Sequence, residues 1–277
     1  MSDDPALAAI RLLAIDIDGT LLTPDHRVLP EVRRAFADGR QAGLALVLAS
    51  ARSPAALRHI LEDLGHAGSC ICFSGGWIGR IDPVAATAVA AETVTIPLPA
   101  ARAIAEAALA AGLVPSWHTE RQWAVPGLSP AIEREIRVTR QTPCVTADFA
   151  AAGQPNKILL VGPRESLLDL RDRLQAAHGG EFDAVFSHAD YLEILPKGVD
   201  KARAVLALAA RDGLGRDAIA AVGDAPNDLG MIREAGYGVA MGNAAEEVRQ
   251  AARWVTASNT EAGVARLIDR ILAARRG

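Results

Sequence analysis

The chain has 277 residues, half of them hydrophobic but only 4% aromatic, so its core must be built from Ala, Leu, Val and Ile; this is a globular composition, long enough for one large domain or two modest ones. A net charge of -4 supplies no basic field for nucleic acid or an anionic membrane, although a local cluster of cations or metal can still hold a small anion. The three cysteines cannot all pair within the chain and lack zinc spacing, no run of about 18 apolar residues is present, and Ser2-Asp3-Asp4 carries the wrong charge for a signal peptide; a soluble cytoplasmic protein with buried thiols at Cys70 and Cys72 is expected.

The first apolar run, residues 12–15, reads as a buried strand. It delivers Asp16 and Asp18, then Gly19 and Thr20. Side chains two apart on an extended chain point the same way, so both carboxylates reach one pocket past the strand's carboxyl end. Two acids that close repel unless a cation or a transferred proton relieves them. A hard divalent ion such as Mg2+, which prefers oxygen ligands, is one relief. A solvated Asp-Gly turn is the other reading of these residues taken alone.

Residues 30–42 have helical spacing and stop at Gly43. Residues 44–49 form a second continuous apolar run, as expected of a strand buried on both faces of a parallel sheet. It ends in Ser50-Ala51-Arg52. Ser53 and Pro54 then open a helix as N-cap and first helical residue, and that helix ends near Gly65. Residues 70–73 make a third strand before the turn Ser74-Gly75-Gly76. The alternation predicts a doubly wound, Rossmann-like α/β sheet.

From residue 83 the texture changes. Residues 84–91 are almost all alanine and valine, and Pro97-Leu98-Pro99 leads to a helix over 100–111. The segment 114–126 carries Trp117, His118, Arg121 and Trp123, which suit either a substrate-facing surface or core packing. A strand over 157–161 and an amphipathic helix over 164–177 follow, stopped by Gly179-Gly180. Residues 83–189 are therefore expected to be a second α/β unit inserted into a core formed by 1–82 and 190–277. In the second half of that core, 191–195 reads as a strand, 200–211 as a helix and 218–222 as a strong apolar strand. A helix over 228–234, a strand over 238–241 and a last helix over 261–274 complete it, with Met231 and Met241 as packing residues.

Ligands of doubly wound sheets bind past the carboxyl ends of the strands, and several strands here end in polar residues. The first ends at Asp16 and Asp18, the second at the Ser50 hydroxyl and Arg52, and the later one at Gly223-Asp224-Ala225-Pro226-Asn227-Asp228. Lys201 opens a helix, where a cation opposes the macrodipole unless it serves something else. Acids for a metal, a hydroxyl and a lysine for an anion, and a nucleophilic carboxylate are what phosphoryl transfer needs.

The set Asp16-x-Asp18-Gly19-Thr20, Ser50, Lys201 and Gly223-Asp224-x-x-Asn227-Asp228 resembles the haloacid dehalogenase superfamily. More narrowly it resembles the Cof-type sugar-phosphate phosphatases, whose large α/β cap lies between the second and third motifs. Gly238-Val239-Ala240-Met241-Gly242-Asn243-Ala244, with Ser258-Asn259 downstream, is similar to that subfamily's carboxyl-terminal signature. The resemblance implies that Asp16 is the nucleophile and forms an aspartyl-phosphate. It implies that Asp18 protonates the leaving oxygen and then takes a proton from water. Mg2+ would be held by the Asp16 carboxylate, the Asp18 main-chain carbonyl and Asp224. Ser50 and Lys201 would grip the phosphoryl oxygens, with Asn227 and Asp228 at or behind metal and phosphate, and Gly19, Thr20 and Arg52 in support. Two departures stand out: Ser50-Ala51-Arg52 where the family commonly has Thr-Gly-Arg, which keeps the hydroxyl, and Ser74-Gly75-Gly76 in place of an Asn-Gly turn.

The expectation is a Mg2+-dependent phosphatase acting on small phosphorylated metabolites, chiefly sugar phosphates. A phosphomutase on the same core and a non-catalytic phosphosugar-binding regulator are the alternatives, although a binder needs neither nucleophile nor acid. The residues name neither the substrate nor the oligomeric state.

Overall fold

The computed structural model describes residues 4–276, the His188 side chain aside, so Ser2 and Asp3 lie outside the described residues. The chain opens through β1 (Leu12–Ile15), α1 (Pro30–Gln41), β2 (Ala45–Ala49), α2 (Pro54–Asp63), β3 (Gly68–Cys72), β4 (Trp77–Asp82) and β5 (Thr87–Thr93). Next come α3 (Leu98–Ala110), β6 (Val114–His118), β7 (Trp123–Val125), α4 (Pro130–Thr139), β8 (Cys144–Val145), β9 (Lys157–Val161), α5 (Arg164–His178), β10 (Phe182–His188) and β11 (Tyr191–Pro196). The chain returns through α6 (Lys201–Arg211), β12 (Ile219–Gly223), α7 (Leu229–Glu234), β13 (Tyr237–Ala240), α8 (Glu246–Ala251), β14 (Trp254–Val255) and α9 (Gly263–Ala274).

Two sheets result. The larger has eight strands in the order β14-β13-β12-β1-β2-β3-β4-β5. It is parallel from β14 to β3, and β4 and β5 add antiparallel. The continuous apolar runs are explained by burial on both faces. Leu13 and Ile15 face the layer holding Phe36, Leu57 and Ile268, whereas Leu12 and Ala14 face Val205 and Met231. The chain leaves β1 for β2 on one side and later pairs β12 on the other, so the strand order reverses at β1. That is where an open α/β sheet forms its ligand crevice. The smaller, mixed sheet runs β10-β11-β9-β6-β7-β8 and packs one face on α3 and α5 through Ile104, Leu160, Leu167 and Ile194.

The expected boundaries of the insertion shift at both ends. β5 pairs with β4 in the larger sheet, so the alanine-valine stretch after residue 83 still belongs to the core. β11 pairs with β9 and β10 in the smaller sheet, so residues 191–196 belong to the cap and not to the returning core. Both differences have one cause: partner choice is a long-range property that a strand's own pattern does not encode. All seven residues of β5 are exposed, so no burial alternation marks it as sheet. The two sheets are tied together by buried Asn156, whose amide donates to Thr93 Oγ1 at 2.9 Å and to the Val94 carbonyl at 2.8 Å. Cys70 and Cys72 are buried free thiols, with burial pushing Cys70 up to about 12. Met231 and Met241 are buried packing residues.

Candidate active site

The strand ends converge at the switch point. Asp200 caps α6, its carboxylate accepting from the Arg203 N–H at 2.8 Å, and this sets Lys201 as the first helical residue. Lys201 is buried there, where the helix terminus disfavours a cation, and two carboxylates compensate. Its ammonium donates to Asp16 Oδ1 at 2.5 Å and to Asp228 Oδ1 at 2.7 Å. The second Asp228 oxygen accepts the N–H groups of Asp224 and Ala225, each at 3.1 Å. Asp228 therefore has both oxygens engaged and fixes the turn after β12 to Lys201. Thr20 Oγ1 donates to Asp224 Oδ1 at 2.8 Å, joining the first strand end to the last. Gly19 makes this approach possible: its φ is +81°, and a Cβ there would stand 2.3 Å from Asp224 Oδ2.

Asp16, Asp224 and Asp228 each offer a carboxylate oxygen, all lying within 4.8 Å of one another. Burial, then the Asp228 charge, pushes Asp16 well above the usual carboxylate range, with Lys201 pulling the other way. Burial raises Asp224 to about 6, the Thr20 hydrogen bond opposing and the Asp228 charge adding. Burial works to discharge Lys201, but Asp16 and Asp228 outweigh it and keep the ammonium protonated. Three carboxylates against one lysine leave the cluster short of positive charge, and all its free donors are hard oxygens. That donor set fits a Mg2+-like cation, which would be held chiefly by Asp16 and Asp224, since Asp228 is already engaged.

Asp18 sits apart from this cluster, its side chain 45% exposed. Arg52 grips both its oxygens, Nη2 to Oδ1 at 2.6 Å and Nε to Oδ2 at 2.8 Å. His26 lies 3.8 Å away on the other side. Burial works to raise the Asp18 pKa, but the Arg52 hydrogen bonds and charge dominate and hold it below the usual range. Ser50 is buried, and its hydroxyl accepts the Arg52 N–H at 3.1 Å. Its carbonyl accepts the Ser74 N–H, so the second and third strand ends are locked together. Asn227 is exposed on the turn between Asp224 and Asp228. Asn243 donates to the Gly19 carbonyl at 2.8 Å and Asn259 to the Leu22 carbonyl at 2.7 Å, bracing the loop after β1.

The cap roofs this floor through three consecutive residues. Lys157 donates to the Ala51 carbonyl at 2.8 Å, Arg52 Nη1 to the Val138 carbonyl at 3.1 Å, and the Ser53 hydroxyl to Gln141 at 2.8 Å. Of the four cap residues singled out in the sequence, three divide between the faces of the smaller sheet and Arg121 lies in the turn between β6 and β7. Trp117 stacks on Phe149 in the cap core, with its N–H donated to the Gly153 carbonyl, and the exposed Arg121 side chain pairs with Glu120. His118 and Trp123 stack on each other on the opposite face, with His118 6.5 Å from Phe73 of the core. Sequence reasoning missed His26, Lys157 and Glu193. The last two carried a signal, each being a lone charge in an otherwise apolar strand.

Residues 13–268 match the family model of the haloacid dehalogenase-like hydrolases. An HMP-PP phosphatase of Serratia proteamaculans is 32% identical to this chain over 86% of each. A 5-amino-6-(5-phospho-D-ribitylamino)uracil phosphatase of Bacillus subtilis is 28% identical, covering 95% of this chain and 98% of the relative. Among solved structures, a haloacid dehalogenase-like hydrolase from Bacteroides thetaiotaomicron superposes with a TM-score of 0.86 at 29% identity, over 95% of this chain and 99% of that one.

Proposed function

The chain belongs to the haloacid dehalogenase-like hydrolase family, as a phosphoric monoester hydrolase of the Cof type, and we propose that it is a Mg2+-dependent phosphatase of small phosphorylated metabolites, chiefly sugar phosphates, working through an aspartyl-phosphate. The observation that carries this reading is the buried Asp16–Lys201–Asp228 chain beside Asp224, with Asp18, two residues along from Asp16, held by Arg52.

Lys201 neutralises one oxygen of Asp16, and with the Ser50 hydroxyl it cradles the phosphoryl oxygens. A Mg2+ ion held by Asp16, Asp224 and the Asp18 main-chain carbonyl would add charge neutralisation. An Asp16 oxygen bonds to phosphorus as the ester P–O bond breaks, and the electron pair leaves with the ester oxygen. Asp18 gives that oxygen its proton. Water then attacks phosphorus, Asp18 takes the water's proton, and the P–O bond to Asp16 breaks to release phosphate. The Arg52 pair favours the second half, because it stabilises Asp18 as a carboxylate. The first half draws on the negative charge of the phosphoryl group, which raises the affinity of Asp18 for a proton. Arg52 also touches the cap at Val138, so cap position and Asp18 orientation are mechanically joined.

The three free cysteines support a reducing, cytoplasmic setting. No helix among the described residues is long and apolar enough to cross a membrane. The covalent intermediate is tested by acid-quenching the enzyme during turnover of p-nitrophenyl phosphate and mapping the modified peptide by mass spectrometry. A phosphoryl group on the peptide carrying Asp16 is expected. A quenched enzyme that turns over but carries no phosphoryl group would refute the covalent route.

A further inference from the structure

The underside of the cap sheet carries a polar cluster that the chemistry at Asp16 does not use. Trp123, His118 and Lys157 stand opposite one another across β7, β6 and β9. Residues paired in this way share one face of a sheet. Ser116 and Glu193 belong to the same face one rung along, both paired with Leu159. That face meets the phosphate loop directly. Lys157 donates to Ala51, the neighbour of Ser50, and the His118 ring stands over Phe73, whose N–H donates to the Arg52 carbonyl.

These side chains are buried, yet they are not satisfied. Trp123 is 3% exposed, His118 8% and Ser116 fully buried, but Trp123 Nε1, His118 Nε2 and Ser116 Oγ have no hydrogen-bond partner among the described residues. Leaving such a buried group unpaired is costly, and here three stand together on the face turned to the phosphate loop. Lys157 and Glu193 are 3.7 Å apart, too long for a good hydrogen bond, so each keeps capacity for a third group.

We propose that this cluster binds the leaving group of the substrate and that it selects an uncharged, hydroxyl-rich one, a sugar or an alditol. The proposal rests on the phosphatase reading and deepens it. A hydroxyl both donates and accepts, and the cluster alternates in that sense. Trp123 and Lys157 donate, Glu193 accepts, and Ser116 and the neutral His118 can do either. A second phosphate or a carboxylate only accepts; the Lys157 charge is already balanced, and such a group would face the Glu193 carboxylate. A nucleobase needs an open aromatic face, but the rings of His118 and Trp123 stack on each other at 12°, each giving one face to the other. The other contacts of Trp123 are apolar, with Val125 and Ile132.

The test uses two substitutions that keep shape. Trp123→Phe removes the donor but keeps a ring, and Glu193→Gln removes the charge but keeps the side-chain outline. Each variant and the parent are assayed on hexose and alditol phosphates and on p-nitrophenyl phosphate, whose leaving group has no hydroxyl pattern to read. The expected result is a loss of about 10- to 100-fold in kcat/KM on the hydroxylated substrates, with p-nitrophenyl phosphate changed by no more than about twofold. Equal losses on both kinds of substrate, no loss on either, or a parental preference for diphosphates or nucleotides would overturn the proposal. Calorimetric affinity for an alditol phosphate, measured in parallel, decides the cap site without turnover: binding weakened by Trp123→Phe supports it, and unchanged binding contradicts it. A parent enzyme that releases no phosphate from any ester would instead sink the phosphatase reading.

Discussion

Replacing Gly19 with alanine perturbs the site at one atom. The new Cβ would stand 2.3 Å from Asp224 Oδ2 and 2.8 Å from Oδ1, whereas ordinary contact begins at 3.4 Å. The Asp224 carboxylate must therefore retreat by about 1 Å, the difference between those distances. It is the mobile end of a side chain, so the retreat costs little folding energy, but it breaks the 2.8 Å hydrogen bond from Thr20 and displaces an oxygen of the proposed metal site. Misplacement of about 1 Å is worth about 100-fold in rate. The φ of +81° adds backbone strain of about 1–2 kcal/mol for any residue with a Cβ. At about 2–4 °C per kcal/mol, the melting temperature should fall by about 2–8 °C. The assay is phosphate release at saturating substrate, titrated with Mg2+, alongside thermal unfolding. The expected pattern is a kcat about 100-fold down and a weakened Mg2+ response in a protein that is still folded at the assay temperature. A kcat within about threefold of the parent, with an unchanged Mg2+ titration, would refute the reasoning, because it would mean that Asp224 need not be where Thr20 and Gly19 place it.

Two further outcomes follow from buried charge. Lys201→Met leaves Asp16 and Asp228 facing each other without their cation, and should lower the stability measured by urea unfolding by about 3–5 kcal/mol as well as abolish turnover; unchanged stability would show that the pair does not hold the strand ends. The second concerns pH. Burial holds His118 well below its ordinary value of 6.5, the Lys157 charge adding to the effect, and burial lowers His59 to about 4. Below pH 6.5 the unfolded chain therefore binds protons that these two histidines refuse in the folded chain, so the stability they contribute is full above that pH and falls as the pH drops toward 4. Asp16 and Asp224, raised by burial, act in the opposite sense, so the readout is a difference: the parental urea midpoint minus that of His59→Asn should fall from about pH 7 to pH 5. A difference that stays constant or grows on acidification would contradict the assignment.

Much of this was readable in the chain because some signals are local. The runs ending at Asp16, Ser50 and Asp224 are continuously apolar since both faces of their sheet are covered, and the spacing of Asp16 and Asp18 follows from the geometry of an extended chain. One helix start was equally plain: Ser53 caps α2 with the side-chain bond its position suggests. What could not be read was set by distant partners. Tyr191–Pro196 has a pattern that either sheet could have used, and pairing with β9 and β10 decides for the cap. The motif puts Asp228 only at or behind metal and phosphate, and its commitment to Lys201 and two backbone amides is set by residues elsewhere in the fold. Among Trp117, His118, Arg121 and Trp123, only the register of β6 and β7 shows which face the core.

The account turns on Asp16 as a nucleophile in an acidic, metal-dependent pocket. The most direct test is phosphate release from a panel of sugar phosphates by the parent and by Asp16→Asn, with Mg2+ and with EDTA, each protein checked for folding by circular dichroism. The account predicts release by the parent with Mg2+, none with EDTA, and none from the folded variant under either condition. Release by the folded Asp16→Asn protein at the parental rate, or parental release indifferent to EDTA, would contradict it.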